Sequence, residues 1–349
     1  MFKKKYYTLI LFALLLSSCV STPNSIVAGG VNRAQSNHAD SIHNVVITKS
    51  TATGIFTLDN KSLDFDAKVT ISNEDIHELN TYNIEQMEIS NSLEKDIVCA
   101  YFGEARKPDH IDPVTGILAF GNRLSSDNCV FYGTVKNIFT MYQHGKDFYP
   151  FSDALYEDAN QVQCGVQVED AISICDSFIQ DINYLDYKLY DIHGFGKNNH
   201  PQYYSLTYVK YVEGLPFITN SEYTKVKFYV DKDGVSYVKG GNFTVKDRQS
   251  VDTILSLEDA IHILCKSLEN LNLSVDDGSY LSQFANEETK GLEIIPIREI
   301  ALEYTRMLDD TGTLKMIPFW RFFLEGPNGS INRSIILGVN AITGEICLR

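Results

Sequence analysis

The stretch MIPFWRFFLEG, residues 316–326, is apolar at almost every position. A strand with one buried face alternates apolar and polar residues, because successive side chains point to opposite faces of the sheet. A strand that is apolar in both alternating sets is buried on both faces. The stretch is therefore predicted to be a central strand, with Trp320 in the core.

The segments around this strand predict the elements that pack with it. Residues 297–308, IREIALEYTRML, alternate as a strand, and residues 334–348, SIILGVNAITGEICL, predict a strand, a turn and a strand. Upstream, residues 257–271, LEDAIHILCKSLENL, repeat apolar residues at helical spacing after Ser256, which is a suitable N-cap. The region 251–349 is thus predicted to be a helix followed by antiparallel strands.

The same order of elements precedes this region. The letters EDAI occur at Glu169–Ile172 and again 89 residues later at Glu258–Ile261, and each copy opens a helical pattern followed by strand patterns. A helix that covers one face of an antiparallel sheet is a sensible minimal unit. We predict two repeated helix-plus-antiparallel-sheet units, at residues 162–250 and 251–349. Chance recurrence of four letters is the alternative.

Residues 45–161 predict a further α+β domain. The stretch SLDFDAKVTI, residues 62–71, alternates as a half-buried strand, and LEKDIVCAYFGEAR, residues 93–106, has a helical apolar stripe after the candidate cap Ser92. DPVTG, residues 112–116, predicts a turn. The predicted fold class is α+β, with this N-terminal α+β domain followed by the two repeated units.

The chain begins with the features of an export signal. Three lysines at positions 3–5 precede the apolar run Leu9–Leu16, which is shorter than the about 20 residues that span a bilayer. Leu16-Ser17-Ser18-Cys19 resembles a bacterial lipobox, in which the peptide is cut between Ser18 and Cys19 and the cysteine is acylated. We predict a signal peptide at residues 1–18 and an acylated flexible tether at residues 19–44. An ordinary secretory signal with a chance cysteine is the alternative.

Charge and lipid together predict where the protein acts. Without residues 1–18 the chain has 27 basic and 45 acidic residues, a formal charge of −18. Such a chain repels nucleic acid and anionic headgroups. The acyl chains on Cys19, rather than charge, are predicted to hold the protein to the lipid bilayer. The predicted location is the cell membrane, lipid-anchored on the extracytoplasmic face.

Six cysteines remain besides Cys19. An even number outside the cytoplasm permits disulfides, but wide and irregular spacing is unlike a small disulfide scaffold. Free, mostly buried thiols are the favoured interpretation, and the pairing is left open. The six are Cys99, Cys129, Cys164, Cys175, Cys265 and Cys347.

Motifs with a fixed catalytic or ligand spacing are missing from the sequence. HELNT, which begins at His77, has Thr81 where a zinc motif requires a second histidine. Asp64 and Asp66 lie on the same face of one strand. We interpret them as the polar face of a half-buried sheet, in preference to a general acid/base pair. We predict no catalytic residue, no metal site and no cofactor, and we leave the ligand-binding residues open.

Several tyrosines fall on predicted strands. An aromatic strand face outside the cell could bind a peptide or a sugar, but tyrosine is also a favoured strand residue that packs in cores. Core packing is the preferred interpretation. The tyrosines are Tyr203, Tyr204, Tyr208 and Tyr211.

A helix, antiparallel strands and a closing Val-Asp-Ala-x-Thr-Gly-Glu-Ile pattern resemble PepSY-like domains and the related YycI-like domains. Val339-Asn340-Ala341-Ile342-Thr343-Gly344-Glu345-Ile346 carries the resemblance, and the whole chain is similar to clostridial lipoproteins of a family of unknown function. The resemblance implies a non-catalytic protein-binding or regulatory module whose partner is a membrane sensor protein or a peptidase. A peptide- or sugar-binding lipoprotein is the alternative, followed by a hydrolase with an unrecognised site.

Overall fold

Strands dominate the computed structural model of this chain. Of the residues that the structure describes, 56% lie in strands and 18% in three α-helices. All of them belong to one compact unit, residues 36–349. The predicted leader and tether, with Ser18 and Cys19, lie outside the described residues. The structure describes residues 45–57, 62–70, 79–121, 129–144, 156–157, 164–195, 203–219, 222–270, 294–309, 311–325, 331–332 and 337–348.

Ten of the described strands form the first sheet, which we name sheet I. Its main order is β1-β2-β3-β16-β17-β19-β20, with β4 between β15 and β17 and with β18 beside β17. The pairing of β3 with β16 is parallel, and the other pairings are antiparallel. The strands are β1 (Val45–Ile47), β2 (Thr51–Thr57), β3 (Ser62–Val69), β4 (Leu79–Gln86), β15 (Phe243–Val251), β16 (Ile294–Leu308), β17 (Leu314–Glu325), β18 (Ile331–Asn332), β19 (Leu337–Asn340) and β20 (Ile346–Leu348).

Ten other strands in the described part of the chain, all from its middle, form the second sheet, which we name sheet II. Its order is β5-β6-β7-β8-β14-β13-β11-β10-β9, and β12 pairs with β11. The strands are β5 (His110–Ile111), β6 (Leu118–Phe120), β7 (Val130–Val135), β8 (Ile138–Gln143), β9 (Tyr156–Glu157), β10 (Tyr187–Phe195), β11 (Tyr203–Val212), β12 (Leu215–Pro216), β13 (Lys225–Asp231) and β14 (Gly234–Gly241).

Three helices cover the sheets. Helix α1 (Asn91–Phe102) packs against α2 (Val168–Asp181), and α2 lies on β11, β13 and β14 of sheet II. Helix α3 (Leu257–Asn270) lies against β19 of sheet I. None of the helices in the described part of the chain is long and apolar enough to cross a bilayer.

The helix caps test two predictions. The Ser256 hydroxyl accepts the Asp259 backbone N–H at 3.0 Å, which confirms that cap. The Ser92 prediction is wrong, because α1 begins two residues earlier. Ser90 is its N-cap and accepts the Leu93 N–H at 3.2 Å.

Strand β17 is central, as its sequence predicts. Nine consecutive residues, 316–324, are buried, and the strand pairs with β16 on one edge and with β4, β19 and β18 along the other. The Trp320 indole N–H donates to the Leu255 carbonyl at 2.9 Å, just before α3. On the opposite face the Phe319 ring lies over Gly338, where a Cβ would come within 2.3 Å of it. Both faces of the strand are therefore filled.

The predicted α+β fold class with two repeated helix-plus-antiparallel-sheet units is wrong. Helix α2 is followed by β10, β11, β13 and β14, and α3 by β16, β17, β19 and β20, but neither run forms a sheet of its own. Sheet I also contains β1–β4 and β15, and sheet II also contains β5–β9. The two EDAI stretches share only a local role. Each places two acids in a first helical turn, where the helix dipole favours them, and buries its alanine.

One hydrophobic core contains residues of both sheets. The segment after β12 runs beside β16, where the Ile218 N–H donates to the Tyr304 carbonyl at 2.8 Å. The Thr305 hydroxyl donates back to the Ile218 carbonyl at 3.2 Å. The Tyr190 hydroxyl of sheet II donates to the buried carboxylate of Glu303 in sheet I at 2.7 Å. Backbone and side-chain bonds thus join the sheets.

Glu213 links the two sheets through several described side chains. It lies in the two-residue loop between β11 and β12 with φ 51°, a left-handed conformation that costs a residue with a Cβ about 1 kcal/mol. Its carboxylate accepts the Asn80 amide at 2.7 and 2.8 Å and the Tyr304 hydroxyl at 3.2 Å, and it pairs with Arg248 at 3.1 Å. Partial burial alone would raise the pKa of this carboxyl. The bonds from Asn80, Tyr82 and Tyr304 and the charge of Arg248 lower the pKa below its ordinary value.

Substitution of Glu213 tests this link. We expect Glu213→Gln to lower the free energy of unfolding by about 1–3 kcal/mol, because hydrogen bonds to a charged acceptor are lost from a strained loop. Because folding lowers this pKa, the carboxylate's contribution is present above the ordinary carboxyl pKa. It disappears as the pH falls through the folded-state value. Urea unfolding at several pH values measures the difference. The exposed Glu104→Gln is the matched control, and an equal effect of both variants would contradict the role.

Candidate ligand-binding cavity

A partly open cavity of about 620 Å³ lies between helices α1 and α2 and one end of sheet II. Cavities of 300–1,000 Å³ are typical of small-ligand sites. The two helices, the strands β7 and β8 and the turn before β14 all contribute to its wall. The lining residues are Ala100, Tyr101, Arg106, Gly121, Val130, Gln143, Ile174, Phe178, Asp233, Gly234 and Val235.

Helix α2 and strand β7 supply the apolar part of the wall. Phe178 is buried, and its ring meets the Phe228 ring edge-on with centroids 5.2 Å apart. Val130 is buried beside it at the start of β7, whereas Ile174 lies one helical turn before Phe178 and is partly exposed. The helical spacing in α2 therefore presents a rigid apolar surface to the cavity.

Tyr101 brings a phenol to the same cavity from the last turn of α1. Its ring packs edge-on against Phe102, with centroids 5.2 Å apart. Burial, and then the negative charge of Asp231, raise the pKa of the phenol, so the hydroxyl stays protonated and can donate. Within the described part of the chain, no hydrogen bond engages this hydroxyl. The phenol is a donor available to a ligand.

Arg106 follows α1 and differs from the other described arginines. Its guanidinium lies over the Phe102 ring, 4.7 Å from the ring centroid. Among the described residues, the other four arginines each make a hydrogen bond or an ion pair, but Arg106 makes neither. Stacking on an aromatic ring leaves the N–H groups at the edge of a guanidinium able to bind a carboxylate. Arg106 is therefore a cationic donor at the cavity. The other four are Arg248, Arg298, Arg306 and Arg321.

The turn between β13 and β14 supplies an acid to the wall of the cavity. The chain turns at residues 231–234, where the Asp233 backbone N–H donates to the Asp231 carboxylate at 2.8 Å. Gly234 has φ 104°, which explains a glycine at this position. The exposed Asp233 carboxylate is 2.7 Å from the Lys232 ammonium. The cavity thus has a positive and a negative group in its wall.

The predicted strand tyrosines divide between the two faces of sheet II. Tyr204 and Tyr208 are buried on the helix side, where the Tyr208 hydroxyl donates to Asp176 at 2.6 Å. Tyr203 lies on the other face, in a row of stacked rings in which adjacent centroids are 4.8–5.1 Å apart. Three of the four rings in this row are at most 8% exposed, so these tyrosines contribute to packing. The row comprises Phe195, Tyr203, Tyr229 and Tyr237.

Of the two acids singled out in the sequence, Asp64 has a structural role and Asp66 is exposed. Asp64 pairs with Arg298 at 3.1 Å, across the parallel strands β3 and β16. His193 Nε2 is 2.6 Å from Asp191 on β10. Among the described residues, no group of three or more His, Cys, Asp and Glu side chains converges as metal ligands would. His77 lies outside the described residues.

The patterns in the sequence do not identify the residues that line the cavity. Tyr101 belongs to the apolar stripe of a helix, and Asp233 belongs to a turn. These local roles explain both residues, so the sequence does not show that they also line a cavity. Arg106 comes after the left-handed Gly103 that ends α1, where the sequence carries no periodic signal. Only the packing of α1 beside α2 brings the three residues to one cavity.

The six cysteines are free thiols in the structure. Four are buried, Cys347 is half-buried, and Cys99 on α1 is exposed. Burial raises the pKa of the Cys164 thiol to about 12, although a hydrogen bond with Tyr204 opposes this shift. Burial raises the pKa of Cys175 as well. The four buried cysteines are Cys129, Cys164, Cys175 and Cys265.

Thiol labelling of the folded protein tests this burial. We expect a maleimide to modify Cys99 first and Cys347 more slowly, because reaction requires an accessible thiolate. Cys164 and Cys175 should react only after unfolding. Mass spectrometry of digested protein identifies the modified sites in a Cys19→Ala variant. Rapid modification of Cys164 in the folded protein would contradict the structure.

Comparison with known proteins identifies a protein of similar fold but indicates no function. No protein-family model matches the chain, and no curated protein matches it either. An uncharacterized protein from Eubacterium rectale ATCC 33656 has a similar structure, with a TM-score of 0.52 and 14% sequence identity. The similarity covers 83% of this chain and 91% of that chain. The chain therefore shares its fold with that protein, and the resemblance to PepSY-like and YycI-like domains stays a prediction.

Proposed function

We propose that this protein is an extracytoplasmic lipoprotein that binds a small ligand, a peptide or a sugar, in the cavity beside α1 and α2. The acylated Cys19 holds it to the cell membrane, and the protein binds without catalysing a reaction. The observation that carries the proposal is a cavity of ligand size whose wall contains the Tyr101 and Arg106 donors and an apolar part.

The polar groups of the cavity suit binding better than catalysis. The raised pKa of Tyr101 keeps its hydroxyl protonated, which makes it a hydrogen-bond donor rather than a base. Arg106 contributes a guanidinium, which has N–H donors and no acceptor. Both groups fix the orientation of a ligand without transferring a proton. We therefore propose a binding role for these residues.

The protein-binding alternative, with a membrane sensor or a peptidase as partner, has less support on the described surface. Strand β15 pairs with β4 only, among the described strands, and so presents a long edge. A bulge after Lys246, with Asp247 at φ 51°, and the exposed polar run 246–250 protect that edge against addition of a strand. The exposed large apolar side chains lie on separate elements. They are Val46, Ile55, Met87, Ile111, Val114, Val135, Ile174, Leu185 and Leu308.

Filling the cavity tests the proposed site. Ile174 lines the cavity and is 39% exposed, so Ile174→Trp can place an indole in the space with little cost to the core. We expect this variant to lose at least tenfold in affinity for any peptide or sugar that raises the melting temperature of the parent protein. A thermal-shift screen with peptide and sugar libraries, followed by calorimetry, measures the effect.

Leu185→Trp is the matched control, because Leu185 is 67% exposed between α2 and β10 and does not line the cavity. It should bind like the parent protein. Ligands that bind Ile174→Trp and the parent equally well would place the site elsewhere. A screen without any binder would refute the proposed function.

Labelling with radioactive palmitate tests the anchor. We expect incorporation into the parent protein and none into Cys19→Ala, which should leave the membrane fraction because no acyl chain remains. Ser92→Ala, at a serine outside the predicted signal, is the control for expression and export. Equal labelling of Cys19→Ala and the parent would contradict the lipoprotein assignment.

A further inference from the structure

We propose that the ligand of this cavity is a short peptide with free termini, whose carboxylate binds Arg106 and whose ammonium binds Asp233. This inference rests on the proposed binding function and names the class of ligand. It follows from the charges in the cavity wall, the chemistry of the wall between them and the net charge of the chain.

Arg106 identifies one end of the ligand. Among the described residues, it is the arginine that makes no hydrogen bond or ion pair with another described residue, in a chain with 45 acidic residues. A guanidinium binds a carboxylate through two parallel N–H bonds, a geometry that fits a peptide's terminal carboxylate. The Tyr101 hydroxyl lines the same cavity and can donate to the same anion. A carboxylate is the group that these donors select.

Asp233 identifies the other end. Its carboxylate lines the cavity at the turn before β14, and its neighbour Lys232 has a side chain that is 71% exposed. An exposed ion pair of this kind contributes little, so the carboxylate can accept a second cation without a large loss. A peptide's terminal ammonium supplies that cation.

The net charge of the chain favours a ligand that carries one positive and one negative charge over a simple anion. The mature chain has a formal charge of −18, and its field repels anions that approach the cavity. A zwitterion is neutral as a whole and is not repelled. It pairs locally with Arg106 and Asp233. The apolar side chains of the peptide then lie against Ile174, Phe178 and Val130.

A sugar fits the described surfaces less well. A neutral sugar can form hydrogen bonds with Arg106 and Asp233, but it carries no charge that complements theirs. Flat aromatic faces would suit a sugar, but the rings of Phe195, Tyr203 and Tyr229 on the outer face of sheet II are at most 8% exposed. The charged cavity therefore points to a peptide.

A tripeptide library with free termini is the direct probe. The protein, without its leader and with Cys19→Ala, is equilibrated with the library, with the same library amidated at the carboxyl end, and with it acetylated at the amino end. Mass spectrometry counts the retained peptides, and calorimetry on the strongest one gives its affinity. We expect amidation and acetylation each to weaken binding at least tenfold.

Substitutions connect each terminus to its residue. Arg106→Gln should abolish the difference between the free and amidated peptides, and Asp233→Asn should abolish the difference between the free and acetylated peptides. Lys107→Gln and Asp252→Asn, at exposed positions outside the cavity, are the matched controls and should preserve both differences. Equal melting temperatures establish that the variants are folded.

Other outcomes overturn the proposal in distinguishable ways. Equal binding of free and blocked peptides would refute recognition of the termini. If only a neutral sugar binds, and Ile174→Trp removes its binding, the ligand class is wrong while the proposed function stands. If neither peptides nor sugars bind, both proposals fail.

Discussion

The parallel pairing of β3 with β16 is the constraint on which the rest of the structure depends. It sets Ser62 opposite Ile294, 232 positions later in the chain, and the Asp64–Arg298 ion pair lies across it. Because β16 pairs on its other edge with β17, this contact attaches β1, β2 and β3 to the central strand, with which β4 also pairs directly. Loop closure over such a distance costs entropy that only the completed sheet offsets. Sheet I therefore requires both ends of the chain.

The cavity depends on the same long-range assembly. Helix α1 follows β4 of sheet I, yet its Phe102 ring packs on Phe120 of sheet II, with centroids 5.0 Å apart. The Glu213 loop joins the end of β11 to β4 and β16, and so links sheet II to sheet I. Tyr101 and Arg106 reach the wall formed by α2 and the β13–β14 turn only in this arrangement. Local sequence supplies the groups, and the shared core brings them together.

Local patterns in the sequence predict the elements whose causes are local. The burial of β17, the Ser256 cap and the turns at 112–116 and 231–234 follow from spacing or from one side chain. The order of the strands does not follow from local patterns, because nothing in the sequence of β3 or of β16 indicates that these two strands pair. The two EDAI stretches led to the wrong prediction of repeated units for the same reason. They describe how two helices begin, whereas the sheets take strands from beyond the segments that follow those helices.

The central claim, that both sheets unfold as one unit, is tested by equilibrium unfolding followed with two probes. Trp320, the single tryptophan, lies in sheet I, and a fluorophore on the exposed Cys99 of α1 reports the helix layer over sheet II. One shared core predicts that the two signals change at the same denaturant concentration with the same slope. Two separate transitions, with one probe changing while the other keeps its native signal, would contradict the account.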